Sequence, residues 1–274
     1  MSHLFSHQSD FVTTIEVVPP VGNNPETLLE KLCRISTLTF QAFSVATNPV
    51  AKPRMSAMVF SYLLQKNSGK KTMLHFTTRD HNRLAIQSEL WGAKALGVDT
   101  VIAVTGDSSA AGSGGKTTTV ADLSVFELIE MANDSDMNTG AVLDFRPEIN
   151  GLENEIKRLR KKVNHGCQFI VTQPLYDEPA VQQIYSVTKD LGVPVIMGIL
   201  PLLSYKHAAF LHHKVAGIDV PTLIRKQMKD AENPVTKGIQ NARQMLGFGK
   251  NFFSGVCIMP PFDRFDIMKE ILTP

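Results

Sequence analysis

The sequence predicts a single (β/α)8 barrel spanning residues 1–274, and three observations carry that expectation. Short apolar runs alternate with helical patterns about eight times along the chain. Several runs are apolar without alternation, as in parallel strands buried on both faces. The length, 274 residues, is close to the roughly 250 typical of such barrels. A doubly wound open sheet of this size would normally carry a G-x-G-x-x-G turn after its first strand. Here that strand runs into Glu16-Val-Val-Pro-Pro20 instead.

The elements follow in order. A first strand is expected over Phe11–Val18, then a helix opened by Asn24-Pro25, a capping residue followed by proline at the first helical position. Its core face is Leu28, Leu29, Leu32 and Ile35, at helical spacing. Strands are expected at Ala42–Ala46 and Thr72–Phe76, a helix over Arg79–Leu96 closing at Gly97, and a strand at Thr100–Thr105. Ser124-Val-Phe-Glu127 is a capping box that opens a helix to about Met131. Strands at Gly140–Phe145, Gln168–Thr172, Pro194–Ile199 and Phe252–Ile258 complete the ring. Between them come helices at Leu152–Asn164, Pro179–Leu191, Tyr205–His213 and Pro221–Leu246, the last broken near Asn233-Pro234. Residues 1–10 are expected to be a flexible N-terminus, and Ser108–Thr119, rich in Gly, Ala, Ser and Thr, a mobile loop.

Composition excludes several classes. A 43% apolar chain with net charge +2 is neither disordered nor a disulfide scaffold. Its 28 basic and 26 acidic residues are too balanced to make nucleic acid the main partner. Cys33, Cys167 and Cys257 form no C-x-x-C pair, so no structural metal is expected. Met1–Thr14 lacks a basic start and an apolar signal core, and no run approaches the roughly 20 apolar residues of a membrane span. No membrane association and a cytoplasmic location are the expectation.

In a barrel of this kind the chemistry lies at the C-terminal ends of the strands. The polar residues there are Glu16, Thr47, Asn48, His75, Thr77, Asp107, Asp144, Arg146 and Gln173. Glu16 interrupts an apolar strand, and a carboxyl in an apolar pocket has a raised pKa suited to a general acid. His75, lone on its strand, reads by itself as a satisfied core histidine. Asp107 in Val104-Thr-Gly-Asp107 reads equally as a turn cap and as a functional carboxylate. Lys157-Arg-Leu-Arg-Lys-Lys162 reads as a solvated helix face, or as cations reaching a phosphate together with Arg146. Ala110-x-x-x-x-Gly115-Lys116-Thr117 matches a permissive P-loop pattern. It stands clear of its strand and leads into a β-branched run, so a nucleotide-triphosphatase reading is rejected.

An ordered set of segments then resembles the 5,10-methylenetetrahydrofolate reductase family. The set is Ile15-Glu-Val-Val-Pro-Pro20, Thr77-Thr-Arg-Asp80 with Asn82 and Gln87, Gly92-Ala-x-x-Leu-Gly97, Val104-Thr-Gly-Asp107, Lys161-Lys-Val163 with Gly166, Val171-Thr-Gln-Pro174, Gly198-Ile-Leu-Pro201 and Gly255-Val-x-Ile-Met-Pro-Pro261. The resemblance implies a (β/α)8 flavoprotein of one-carbon metabolism that reduces 5,10-methylenetetrahydrofolate to 5-methyltetrahydrofolate with NADH or NADPH through FAD. It implies Glu16 as general acid toward the folate ring nitrogen and Asp107 as the carboxylate beside flavin and pterin. Substrate contacts are implied at Gln173, Asp107, His207, Leu211 and Thr47, with the family threonine falling on Ala46 or Thr47. FAD contacts are implied at His75, Thr105, Gly106, Asp107, Arg146, Glu155, Arg158, Lys161 and Lys162. Val142 stands where better-known members place an aromatic against the flavin, and Leu211, next to Phe210, where another stacks on folate. The resemblance further implies a homo-oligomer and leaves open an electron-delivering partner subunit. Two other readings stay open: a folate enzyme of a demethylation or methyl-oxidation route, and a folate-binding subunit supplied with electrons by that partner.

Overall fold

Alternation along eight strands sorts the apolar side chains into an inner and an outer core. The computed structural model describes residues 11–108, 118–144, 151–215 and 217–273. The strands are β1 (Val12–Val17), β2 (Ala42–Val45), β3 (Lys71–Thr77), β4 (Thr100–Val104), β5 (Asn138–Leu143), β6 (Phe169–Pro174), β7 (Val195–Ile199) and β8 (Gly255–Ile258). Each pairs in parallel with the next, and β8 closes on β1 with Val12 beside Gly255. This is the closed eight-stranded barrel that the sequence predicts.

The inner core is small: Ala42, Met73, Ile102, Phe169, Val171, Ile196 and Cys257 fill the barrel. Phe169 reaches across to β5 because Gly140 stands there; a Cβ on Gly140 would lie 2.2 Å from the Phe169 ring. The outer core packs the other strand faces against the helices, and burying it away from water is the main force closing the fold.

Helix α1 (Glu26–Ile35) buries Leu28, Leu29, Leu32 and Ile35, the face its spacing predicts. Asn24 Oδ1 accepts the Glu26 N–H at 2.9 Å. A second helix, α2 (Ala57–Ser68), has no counterpart in the sequence reading. Apolar residues occupy much of its circumference, so no single stripe announces it. Helix α3 (Arg83–Ala95) begins later than Arg79 because Asn82 caps it, accepting the Ala85 N–H at 2.9 Å. Arg79 and Asp80 are thereby left in the β3–α3 loop. Helix α4 (Val125–Asp134) opens on the Ser124–Glu127 capping box, with both reciprocal bonds present.

The remaining helices are α5 (Gly151–Asn164), α6 (Glu178–Thr188), α7 (Tyr205–Lys214), α8 (Thr222–Asp230), α9 (Pro234–Phe252) and α10 (Met268–Leu272). Asn233-Pro234 separates α8 from α9 as expected, Asn233 capping the second at Thr236. Phe252 ends α9 rather than beginning the last strand, which starts at Gly255. Strand β5 begins at Asn138, earlier than Gly140, because the Asn138 N–H already bonds Asp99 O at 2.8 Å. No described helix is long and apolar enough to cross a membrane. The first ten residues, the P-loop-like Ala110–Thr117 with most of the Ser108–Thr119 stretch, and Phe145 with Arg146 lie outside the described residues.

Candidate active site

Because all eight strands run in one direction, their C-terminal ends share one rim. Glu16 of β1, His75 of β3, Gln173 of β6 and the segment Thr105–Asp107 after β4 stand on it. Glu16 sits beside Ser44 in the β1–β2 register and opens into a cleft of about 560 Å³. Pro19, Arg54, Leu200, Met259 and Phe262 contribute to the cleft walls. No cation pairs with Glu16 among the described residues, and burial raises its pKa from 4.5 to about 7. Near neutral pH the side chain therefore holds a proton it can donate. Beneath it, burial and the Glu16 carboxylate together push the Cys257 thiol up to about 12, which leaves that sulfur unreactive.

His75 is fixed from two sides. Its Nε2 lies 2.8 Å from Ser44 Oγ, and the Thr47 hydroxyl donates to its backbone carbonyl. Burial lowers its pKa to about 4, so at neutral pH the ring is uncharged, with one nitrogen donating and the other accepting. A second cleft lies over this residue, lined also by Thr47, Asn48, Arg54, Thr77 and His81.

Three loops of the rim are tied by one guanidinium. Arg79 is 3% exposed and grips Asp80 with two bonds, Nε to Oδ1 at 2.6 Å and Nη2 to Oδ2 at 2.7 Å. It also donates from Nη1 to Asp107 O at 3.1 Å and from Nη2 to Asn48 O at 3.3 Å. Burial works against the Asp80 charge, but bonds from Arg79, Asn48 and Thr77 outweigh it and hold the carboxyl below its usual range. The backbone thus pinned presents the exposed Asp107 carboxylate, whose Oδ2 accepts the Val50 N–H at 2.5 Å. Gly106 makes the close approach possible: φ is +87°, and a Cβ there would lie 3.1 Å from Arg79 Cβ. Arg79-Asp80 falls within the family-like segment Thr77-Thr-Arg-Asp80, for which the resemblance implies no role. The available signal was an adjacent Arg-Asp pair at a strand end.

The other candidates are placed as follows. Gln173 is half-buried where the β6–β7 register shifts, its backbone against Gly198. Thr105 and Gly106 are exposed at the end of β4. On α5, Glu155, Leu159 and Lys162 share the buried face. Lys162 Nζ donates to Val142 O at 2.6 Å and lies 3.8 Å from Glu155 Oε1, which also accepts the Asp144 N–H at 3.2 Å. Burial pushes the Glu155 pKa up and the Lys162 pKa down. Arg158 and Lys161 are exposed, Lys161 Nζ lying 4.3 Å over the Phe126 ring. Lys157 pairs with Glu153 at 3.6 Å on the solvated face. His207 accepts the Leu203 N–H at its Nδ1, and its ring is 5.3 Å from that of Phe262 at the cleft edge. Leu211 does not join them: it is buried with Tyr176, Leu202 and Val220 in a separate cluster, while Phe210 faces solvent.

The family model described as methylenetetrahydrofolate reductase matches residues 2–247. A 5,10-methylenetetrahydrofolate reductase of Salmonella typhimurium is 26% identical over 210 residues, covering 73% of this chain and 68% of that protein. A probable methylenetetrahydrofolate reductase (NADPH) of Caenorhabditis elegans is 23% identical over 226 residues, 76% of this chain but only 33% of its own length. The chain thus spans only part of such relatives. Among solved structures, a Clostridium thermocellum protein that binds two copies of 5-methyl-5,6,7,8-tetrahydrofolic acid shares the fold. The TM-score is 0.69 at 17% identity, over 96% of this chain and 93% of that one. A 2,3-dimethylmalate lyase also shares the fold, with a TM-score of 0.55. With a family model that takes in nearly all of the barrel, the chain belongs to the methylenetetrahydrofolate reductase family of oxidoreductases.

Proposed function

We propose that this chain reduces 5,10-methylenetetrahydrofolate to 5-methyltetrahydrofolate, with electrons from NADH or NADPH passing through FAD. The observation that carries the reading is Glu16, a carboxyl on the barrel rim with no cation partner among the described residues, whose pKa burial raises to about 7. Opening the five-membered ring of the substrate requires a proton at the departing nitrogen, and protonated Glu16 supplies it. The exposed Asp107 carboxylate favours the cationic iminium that ring opening leaves on the folate. Gln173 offers both a donor and an acceptor to a pterin edge.

The chain's own side chains fit a flavin dinucleotide in their chemistry. Arg158 and Lys161 are exposed cations suited to a pyrophosphate, and Thr105, Gly106 and Asp107 are exposed at the end of β4. When bound, the flavin supplies hydride acceptance and donation. His75, pinned by Ser44 and Thr47, orients a neighbouring ring without adding charge. One observation favours a second reading, a folate-binding subunit that takes electrons from a partner: Glu155 and Lys162 are engaged with each other and with the β5–α5 backbone.

The test separates half-reactions by rapid mixing. Protein that binds FAD, is bleached by NADH and recovers its colour with methylenetetrahydrofolate supports the first reading. Glu16→Gln is then expected to abolish the folate step and spare flavin reduction; equal loss of both steps refutes the acid role. Colourless protein that neither takes up FAD nor oxidises NADH, yet binds folate, supports the second.

A further inference from the structure

Among the described residues Asp107 is held by two hydrogen bonds, and both lead back to Arg79 and Asp80. The first is direct: Arg79 Nη1 donates to the Asp107 backbone oxygen at 3.1 Å. The second runs through the β2–α2 loop. The Val50 N–H donates to Asp107 Oδ2 at 2.5 Å, and Val50 belongs to a segment in which Asn48, Val50 and Ala51 all have positive φ. A β-branched residue enters that region only at a cost, so such a loop persists where surrounding contacts impose it. The Arg79–Asp80 pair acts on it at Asn48. Arg79 Nη2 donates to Asn48 O at 3.3 Å, and Asn48 Nδ2 donates to Asp80 Oδ2 at 3.3 Å. The Arg54 N–H completes the hold on Asn48, donating to its Oδ1 at 2.9 Å. Thr77 Oγ1 donates to the same Asp80 oxygen at 3.3 Å and anchors the pair to the end of β3.

The contacts close on themselves: guanidinium to the Asp107 backbone, carboxylate to Val50, and Asn48 back to the ion pair. A buried ion pair adds little stability over apolar side chains of similar volume. Its fork does what they cannot, which is to fix three chain segments at set distances from one another. We propose that Arg79 and Asp80 are positioning residues, a clamp that fixes where the Asp107 carboxylate stands on the rim. The step they serve, hydride transfer to the folate, rests on the function proposed above; the clamp itself belongs to the free protein. A carboxylate already in place stabilises a developing cation without rearranging during the step. A misplacement of about 1 Å costs on the order of a hundredfold in rate.

Two conservative variants of the full chain test this. Arg79→Lys keeps the charge and loses the fork, and Asp80→Asn keeps the shape and releases the guanidinium. Circular dichroism and urea unfolding identify the variants that fold. Hydrogen exchange at the Val50 amide, followed by NMR on the free protein, should quicken about fivefold or more in each. In the folate step, measured on protein already reduced with NADH, each should slow the rate about tenfold or more while folate affinity changes less than about threefold. In an Asp107→Asn background the same substitutions should cost less than about twofold, because the group they place is gone. Equal losses in both backgrounds mean that the pair only supports the fold, and they overturn the proposal. So does unchanged Val50 exchange in folded variants, or an unchanged folate step in active ones. Wild-type protein that reduces no methylenetetrahydrofolate refutes the proposed function instead, and the Val50 exchange then decides the clamp by itself.

Discussion

Replacing Glu16 with glutamine should make the protein more stable, by an amount that depends on pH. The reasoning is linkage. Burial raises the Glu16 pKa from 4.5 to about 7, so the folded state holds the proton more tightly than the unfolded chain. Below pH 4.5 both states are protonated and the residue costs nothing by this route. As pH climbs toward 7, the unfolded chain ionises freely while the folded one resists, and stability is lost through that window. Above pH 7 the penalty levels off. The shift corresponds to about 3 kcal/mol, an upper value because the side chain keeps some access to water. Glutamine does not titrate, and other groups cancel in the difference between the two proteins. Urea unfolding of both at intervals from pH 5 to 8.5 gives that difference directly. It should grow with pH and flatten above 7, with Glu16→Gln the more stable. A difference that stays level, or that favours wild type as pH rises, refutes the desolvated-carboxyl argument and the acid role built on it.

Three other outcomes follow from the geometry. Arg79→Ala leaves Asp80 without its two-pronged partner and should destabilise by about 3 kcal/mol in urea, with the Asp107 loop more open to proteolysis. Gly140→Ala places a Cβ 2.2 Å from the Phe169 ring; a loss of about 1–3 kcal/mol is expected, partly recovered by Phe169→Leu in the same chain. Gln173→Ala should weaken folate binding about tenfold in calorimetry, and unchanged affinity would remove Gln173 from the site.

Local rules carried much of the fold. The α1 face and the Ser124–Glu127 box each depend on residues a few positions apart, and both stand where their spacing puts them. Helix α2 escaped because its environment is apolar on several sides: Phe60 and Leu64 are buried, and Met58 lies against Gly92 of the neighbouring helix. No periodic stripe survives that arrangement. Lys162 illustrates a signal present but outweighed. Within a run that looks like a solvated face, it shares helical phase with Glu155 and Leu159, and the structure turns all three inward. Arg79 shows the harder limit: besides Asp80, its partners Asn48 and Asp107 belong to loops distant in sequence, and only the closed ring brings them within reach.

The seam between Val12 and Gly255 sets a condition on how this protein is made. A ribosome adds about 5–20 residues per second, so β1, paired early with β2, must wait on the order of 10–50 s before its second partner, β8, emerges. Throughout that interval one flank of Val12–Val17 presents unpaired backbone, a template for any other extended chain nearby. Slowing translation late in the message should therefore raise aggregation of newly made protein, while leaving refolding of the finished chain untouched.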